Sequence, residues 1–466
     1  MPSRQDQLHS YQFMVQRVVA ALVMRETDPA QSPFRRAAGA TLASVLIAAI
    51  AVGAAGVYGA LTGDGGKTWR DSRAVIVEKE SGARYVYFDD DRKLHLVLNY
   101  ASALLIIKSE QPRTVLVSRK SIEGVPRGVP LGIAGAPDSL PDARRLSGGP
   151  WTICSLPPAE GGQAASRSAL LVGVDATGGT ALGDNGVLGR HPDGSLHLIW
   201  QHRRYPIRDR DTVLTALGWI TQRPVPLAPA LLNALPVGAD LARIPIPEQG
   251  KQSAKVPGAK IGDVFVVDSQ GGGRQYLVAK RDGLAGITEL QANLLVSAPG
   301  QHPPTQMSQG TLASIPNLPD LVPADAGAPP ATAPKLAPAA GGAMCGQVRD
   351  DGGVREVRIG ATVPQVADGS ATGARSAQGA PLADHIVVQP GRGAVVEAAA
   401  APGAKGGAVS VVTDLGRRYA VSSEDVLPML GYGAVQPVRM PASLVALVPA
   451  GTALDPAAAR APATVE

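Results

Sequence analysis

The chain has 466 residues, and its 44 Lys and Arg against 39 Asp and Glu leave a formal charge of only +5. No block of basic residues interleaves with aromatics, so nothing in the composition supports nucleic-acid binding. Gly (54) and Pro (40) make about a fifth of the chain and aromatics 4%, which argues for turns and linkers rather than helical bundles, and for a core of Val, Leu, Ile and Ala.

Residues 1–36 open with Ser3 and Asp6 at capping-box spacing. Tyr11, Met14, Val18 and Leu22 then recur at helical spacing until Asp28-Pro29 ends the run. The apolar stripe is short, which predicts a docking or self-packing face rather than a helix lying in a membrane. From Ala37 to Thr62 no side chain is charged. At 1.5 Å per residue, about 20 helical residues cross the ~30 Å hydrocarbon core, so this stretch reads as a single membrane anchor. A helix buried in a soluble domain rarely stays uncharged for so long. A signal peptide ending near Tyr58-Gly59-Ala60 is the stronger rival, but its apolar region is usually about 7–15 residues and here it follows a long N-terminal stretch. Ala49, Gly53, Gly56 and Ala60 share one stripe, where another helix could approach closely. Arg35 and Arg36 flank one end and Lys67, Arg70 and Arg73 the other, so charge alone leaves the orientation open.

Beyond Gly66 the texture becomes short Val-rich runs punctuated by turns. Ala74–Val77, a Ser81-Gly82 turn, Arg84–Phe88, an Asp89–Asp91 turn, Leu94–Val97 and an apolar run from Asn99 to Ile107 read as strands followed by a short helix or strand. The order recurs at Val264–Val267, Gln275–Val278 and Leu284–Val296, at Val409–Val412, Arg418–Val421 and Val426–Leu430, and more faintly from Leu171 to Leu217. Four related units follow: 63–140, 171–250, 251–322 and 408–452. Segments 141–170, with Cys154, and 343–407, with Cys345, lie between them as core segments. Residues 323–342 are rich in Ala, Pro and Gly and predict a mobile linker, and 453–466 predict a disordered tail. The two cysteines are compatible with one disulfide in an oxidising compartment or with two inert buried thiols.

Several segments, taken in order, resemble a known family: Leu8–Phe13, the anchor, Tyr85-Val86-Tyr87, Leu94–Ala103 (LHLVLNYASA), Gly132–Pro137 (GIAGAP), Trp151-Thr152-Ile153-Cys154 and Val412–Tyr419 (VTDLGRRY). Together they resemble EccB, a membrane core component of type VII (ESX) secretion systems of actinobacteria. The chain departs at His95-Leu96-Val97, where many relatives have His-Pro-Val, and its middle is Ala- and Gly-rich and of low complexity. The resemblance implies an α+β, β-rich fold: an N-terminal cytoplasmic helix, one transmembrane helix and an elongated extracytoplasmic domain of about four strand-turn-strand-helix repeats around a central β core. It also implies an outward C-terminus and a disulfide staple, here between Cys154 and Cys345. The implied partners are an EccC-like motor ATPase, EccD, EccE, a mycosin protease and further EccB copies.

Some members of that family carry the name ATPase, and hydrolysis of ATP requires a phosphate-cradling motif. Gly66-Lys67-Thr68 would end a P-loop, but the position needing its first Gly is Leu61, inside the anchor. His191, His197 and His202 cluster loosely, yet their spacing matches no metal signature and they read as surface and strand histidines. Asp89–Asp91 lacks the remaining ligands of a calcium loop. Trp151, Trp200 and Trp219 could stack on sugars, but in so aromatic-poor a chain they are assigned to the core. No residue is assigned a catalytic, cofactor-binding or metal-ligating role, and ATP enters only through the family name. The expected function is therefore a single-pass membrane scaffold of the secretion channel, with an ATP-hydrolysing subunit as the alternative and a released wall-binding domain third.

Overall fold

Each Val-rich stretch folds as three antiparallel strands, because alternating apolar residues leave one face to bury. A computed structural model describes residues 3–24, 33–62, 69–158, 166–269, 271–321, 325, 327–338, 341–363 and 369–463. In unit one the strands are Ala74–Glu78, Arg84–Phe88 and Lys93–Val97, followed by helix Tyr100–Ile107. A fourth strand, Arg113–Val117, then returns parallel to the first. Unit two repeats this with Val187–Arg190, Leu196–Trp200, Arg203–Ile207, helix Arg210–Ala216 and Val225–Pro226. Unit three does so with Val264–Asp268, Arg274–Ala279, Leu284–Ile287, helix Glu289–Val296 and Thr305–Gln306. Unit four comprises Ala394–Ala399, Ala408–Val412, Arg418–Ala420, helix Val426–Met429 and Val438–Pro441. Three of the helices start on a side-chain cap: Asn99, Asp209 and Thr288 accept from the backbone N–H of Ser102, Thr212 and Gln291.

Every unit is closed by one more segment running parallel to its third strand. Single bridges do this at Leu94–Arg127 and Val97–Leu131, at Arg204–Val237 and Ile207–Leu241, and at Arg418–Ala450 and Val421–Leu454. In unit three a short strand, Asn317–Leu318, takes the same place. The closure needs a glycine in three units, because the ring of a central third-strand residue lies flat against it. A Cβ on Gly128 would stand 2.0 Å from the His95 ring, and one on Gly238 or Gly451 would stand 2.3 Å from Tyr205 or Tyr419.

The central sheet has seven strands: Ser370–Ala371, His385–Val388, Ser168–Val172, Trp151–Ser155, Ala343–Val348, Val354–Thr362 and Thr177–Ala181, in spatial order. One face packs Trp151, Ile153, Leu170 and Val357 against units two and four through Ile199, Leu231, Val396 and Val448. Unit one joins unit four, with Leu104 and Leu105 against Val395, Val411 and Leu427. Unit three joins unit two through Leu290 and Leu294 of its helix. Contacts therefore run from unit one to four to the central sheet to two to three, an order that is not the chain order.

Four expectations need correction. The fourth unit begins at Ala394, not at 408; the sequence reading took its second and third strands for the first two. The strand Thr177–Ala181 belongs to the central sheet, so unit two begins beyond it. The described part of the 323–342 stretch is bound to its neighbours: Gly186 N–H donates to the Lys335 carbonyl (2.7 Å), Ala337 N–H to Gly186 (2.8 Å) and Leu290 N–H to Ala331 (2.9 Å). Proline-rich chain is extended, and here it satisfies exposed edges rather than spanning solvent. The tail is ordered as well. Helix Pro456–Arg460 buries Ala459, and Ala463 N–H donates to the Pro130 carbonyl at 2.8 Å. Asp455 as N-cap and Pro456 at the first helical position were signals for that helix.

None of Gly128, Gly238 and Gly451 has positive φ, so alanine there would be resisted by the ring and not by the backbone. Overpacking of this kind costs about 1–3 kcal/mol. Gly128→Ala, Gly238→Ala and Gly451→Ala should each lower the melting temperature, while Gly148→Ala, with nothing near its Cβ, should leave it unchanged. Equal melting of all four variants would disprove ring-on-glycine closure.

Candidate functional site

Two places concentrate chemistry in the described residues: the middle of the central sheet and a polar cleft in unit two. In the first, Trp151–Ser155 and Ala343–Val348 are neighbouring antiparallel strands in which Cys154 and Cys345 are directly opposite. Strand alternation sends Trp151 and Ile153 toward the repeats and both cysteines to the other face, among Ala169, Leu171 and Val387. Their Cα atoms are 4.0 Å apart and the sulfurs are bonded. On that same face Asp175 accepts from Thr152 at 3.0 Å and from Gln347 at 2.8 Å, bracing the same strand pair. Farther out, Arg439 of unit four meets Asp351 at 3.1 Å and Glu397 at 3.5 Å, tying that unit to the sheet's hairpin. The Tyr432 hydroxyl donates to the Pro141 carbonyl at 2.7 Å, and burial pushes its pKa far up.

The LHLVLNYASA and GIAGAP segments meet in unit one. Asn99 caps the helix at Ser102 and donates to the Ile133 carbonyl at 2.7 Å, while the Ser102 hydroxyl accepts from Ile133 N–H at 2.9 Å. His95 is buried between the Val129 carbonyl (2.9 Å) and Asp91 (3.0 Å). These motifs therefore join the helix start to the closing segment. Asp91 of the acidic turn serves His95, and its carboxyl is held low by that contact and by Lys93 N–H against the opposing effect of burial. Trp151 and Trp219 are buried in the core, and Trp200 is half-buried.

In unit two the structure separates the three histidines. A cleft of about 500 Å³ takes in His191 and His197, together with Asp193, Ser195, Arg204 and Asn233. His202 sits apart, in the turn before the third strand. Burial, with Arg204, His191 and Arg208 nearby, holds the His197 pKa below the usual imidazole range. Burial also lowers that of Arg204. The Asp193 carboxyl is held far below its ordinary value by the Ser195 hydroxyl and N–H and by His191. The sequence reading found the histidines but missed Arg204. Strand alternation on 196–200 and 203–207 was the available signal, since it puts His197, Ile199, Arg204 and Pro206 on one face. A second, apolar cleft of about 670 Å³ lies between the central sheet and unit two, lined by Leu156, Val187, Leu227, Leu336 and Met344. Among the described residues no group of three His, Cys, Asp or Glu side chains could hold a metal ion.

The apolar helix spans Pro33–Thr62, and Ala37–Tyr58 is long and apolar enough to cross a membrane, with none of it buried. Ala49, Gly53 and Gly56 lie exposed on it, nothing approaches either glycine, and the side chain of Ala60 lies outside the described residues. Ser3 N–H donates to Asp6 (3.1 Å) and Asp6 N–H to the Ser3 hydroxyl (3.3 Å), the predicted capping box. The breaker Asp28-Pro29 and the sequence Gly66-Lys67-Thr68 lie outside the described residues.

A candidate membrane helix followed by four small sheets on a stapled central sheet defines a membrane protein of mixed α+β, strand-rich class. The family described as "Type VII secretion system ESX-1, transport TM domain B" matches residues 1–465, and the chain belongs to this EccB family. It is 30% identical over 330 residues to the "ESX-5 secretion system ATPase EccB5" of Mycobacterium marinum, covering 67% of this chain and 63% of that relative. The "ESX-3 secretion system ATPase EccB3" of Mycolicibacterium smegmatis is 28% identical over 96% of this chain and 88% of its own. Among solved structures, a chain of an intact ESX-5 inner membrane complex superposes with TM-score 0.67 at 27% identity, covering 100% of this chain and 96% of that one. A chain of an EccB3 dimer from the ESX-3 core complex gives TM-score 0.65 at 26% identity, covering 83% and 100%.

The Cys154–Cys345 link closes a sequence separation of 191 residues, for which chain-entropy reasoning gives about 5 kcal/mol at most. Non-reducing digestion of protein taken from its native envelope should yield one peptide pair joining the two cysteines. The double change Cys154→Ser with Cys345→Ser should melt earlier by an amount worth about 2–5 kcal/mol. Free thiols at both positions would remove the staple from the account.

Proposed function

We propose that this chain is a single-pass membrane scaffold subunit of a type VII secretion machinery, its outer domain making the protein–protein contacts of channel assembly. The observation that carries this reading is the family match along residues 1–465, joined to an architecture in which four sheets are spread around one stapled core. Such a shape offers many separate surfaces while keeping them at fixed spacing, which suits contacts with several neighbours at once. The neighbours proposed are an EccC-like motor ATPase, EccD, EccE, a mycosin protease and other copies of this chain. Residues 1–36 would be cytoplasmic and everything after the anchor extracytoplasmic, where a disulfide persists.

ATP hydrolysis is the second reading, and its support is the word ATPase in the names of the relatives. The two readings separate on Lys67. Under the scaffold reading Lys67→Ala leaves secretion nearly unchanged, and the purified full chain shows no turnover beyond that of a mock preparation. Hydrolysis abolished by a point change in the chain would favour the second reading.

The scaffold reading has its own direct test. A tag at the C-terminus, pulled from gently solubilised membranes, should bring down an EccC-like motor and an EccD-like channel protein. Protease added outside cells with a permeabilised envelope should digest the chain after Gly63 and spare residues 1–36. Recovery of this chain alone, or protection of the large domain, would count against assembly and orientation respectively.

A further inference from the structure

Unit one differs from its sister units on one sheet face. The ring held against a glycine aligns His95 with Tyr205 of unit two and Tyr419 of unit four. Side chains on the other face of the third strand follow by alternation. The residue after the ring is Leu96 in unit one, Pro206 in unit two and Ala420 in unit four; two places further on stand Leu98, Arg208 and Ser422. Leu96 and Leu98 are each 38% exposed, and Val129 on the adjoining closing segment is 56% exposed. Their backbones are paired, since Leu131 N–H donates to the Leu96 carbonyl at 2.8 Å and Leu98 N–H to the Leu131 carbonyl at 3.0 Å. Strand pairing therefore does not need leucine at either position. In unit two the corresponding side chain is charged and pairs with Asp240 at 2.7 Å, as suits a face in water.

The same face is covered at its other end. Trp69, Tyr87, Leu94 and Ile122 form a closed cluster there, with Trp69 edge-on to Tyr87 at 5.9 Å. Leu96 lies about 7 Å farther along the strand than Leu94, where this cover has ended. Its cross-strand partner is Tyr85, and the exposed Arg127 holds its guanidinium over the Tyr85 ring at 4.6 Å. Apolar side chains flanked by an aromatic ring and a long-stemmed cation are the mixture found at a membrane–water boundary.

Chain length says what lies opposite this patch. The apolar helix ends at Thr62, and only six residues separate it from Trp69. Six residues span about 20 Å at most, whatever their conformation. Trp69 is 2% exposed and belongs to the cluster that holds Leu94, so the chain enters unit one on the face that carries the open leucines. Among the units that close a ring on glycine, the one tethered to the anchor is also the one with leucines on this face.

We propose that this face of unit one rests on the bilayer that holds the anchor, with Leu96, Leu98 and Val129 at the boundary of headgroups and acyl chains and Arg127 among the lipid phosphates. The proposal rests on the anchor reading and is independent of which proteins assemble around the chain. The test reconstitutes the full chain, one copy to each lipid nanodisc, in phosphatidylcholine mixed with phosphatidylglycerol. Cys154 and Cys345 are bonded to each other, so a cysteine introduced as Leu98→Cys takes an environment-sensitive dye alone. Ile220→Cys, at an apolar residue of unit two that is 52% exposed, is the control far from the tether. Lipids carrying a nitroxide near the headgroup should quench the dye at position 98 at least twice as strongly as the dye at 220. Leu96→Asp combined with Val129→Asp should at least halve the quenching at 98. Unchanged melting and an intact Cys154–Cys345 link would certify that the variants fold. Release of the parent chain from vesicles by alkali would overturn the anchor and the docking with it. Equal quenching at 98 and 220, in nanodiscs whose chain resists alkali, overturns the docking alone. A blue shift at 98 that grows with protein concentration in detergent, without quenching by the lipids, assigns the face to a second copy of this chain and overturns the docking as well.

Discussion

The adjacency of Trp151–Ser155 and Ala343–Val348 is the constraint on which the outer domain depends. Between these strands the chain leaves the central sheet, builds units two and three, and returns. Pairing ends so distant costs loop-closure entropy before any contact compensates it. The disulfide removes much of that cost by limiting the unfolded chain, and its stabilisation of up to about 5 kcal/mol is comparable with the whole net stability of many domains. Direct opposition of the cysteines also fixes the register. A slip of one residue along Trp151–Ser155 would turn Trp151 and Ile153 out of the core and set Thr152 and Cys154 in their place.

From this centre the units take their stability by sharing cores rather than owning them. A four-stranded sheet with one short helix buries too little to stand alone. Unit one solves this against unit four, and unit three seats its helix on unit two. The closing segments and the tail perform the same service at the edges, which would otherwise present unpaired strands to other chains. Gly132 N–H and the Ala461 carbonyl, 3.4 Å apart, are where the end of the chain meets the first unit. The two ends of the outer domain are therefore held by one another.

Periodicity gave the units and their kind, because Val-rich alternation and turns are local signals. Ala74–Glu78, Arg84–Phe88 and Val264–Asp268 fall where alternation places them. What it could not give was membership. Thr177–Ala181 enters the central sheet only through pairing with Val354–Thr362, far away in sequence, and Ala394–Ala399 was not read as a strand at all. The Ala- and Pro-rich stretches misled for another reason. Composition speaks of entropy, whereas Lys335 and Ala331 are ordered by edges that composition does not reveal. The cysteine pair was legible through resemblance; spacing alone left it undecided. The cleft was legible in part, through its histidines, and its arginine was hidden in the Arg203-Arg204-Tyr205 run.

That run shows how a repeat can diversify without changing its frame. Arg203-Arg204-Tyr205 and Arg417-Arg418-Tyr419 keep the ring over its glycine, so both units close in the same way. The ring constrains only one face of the third strand. The residue before it, on the opposite face, answers to whatever packs there. In unit four that residue meets the Val448 carbonyl and is satisfied internally; in unit two it opens on a cleft edged by Asn233 and Val237. His95 in unit one fills the ring position with a group that also bonds to Asp91 and the Val129 carbonyl. Closure and surface chemistry thus occupy alternate residues of one strand, and the period of two that builds the sheet is also what lets each unit carry a different face to its neighbours.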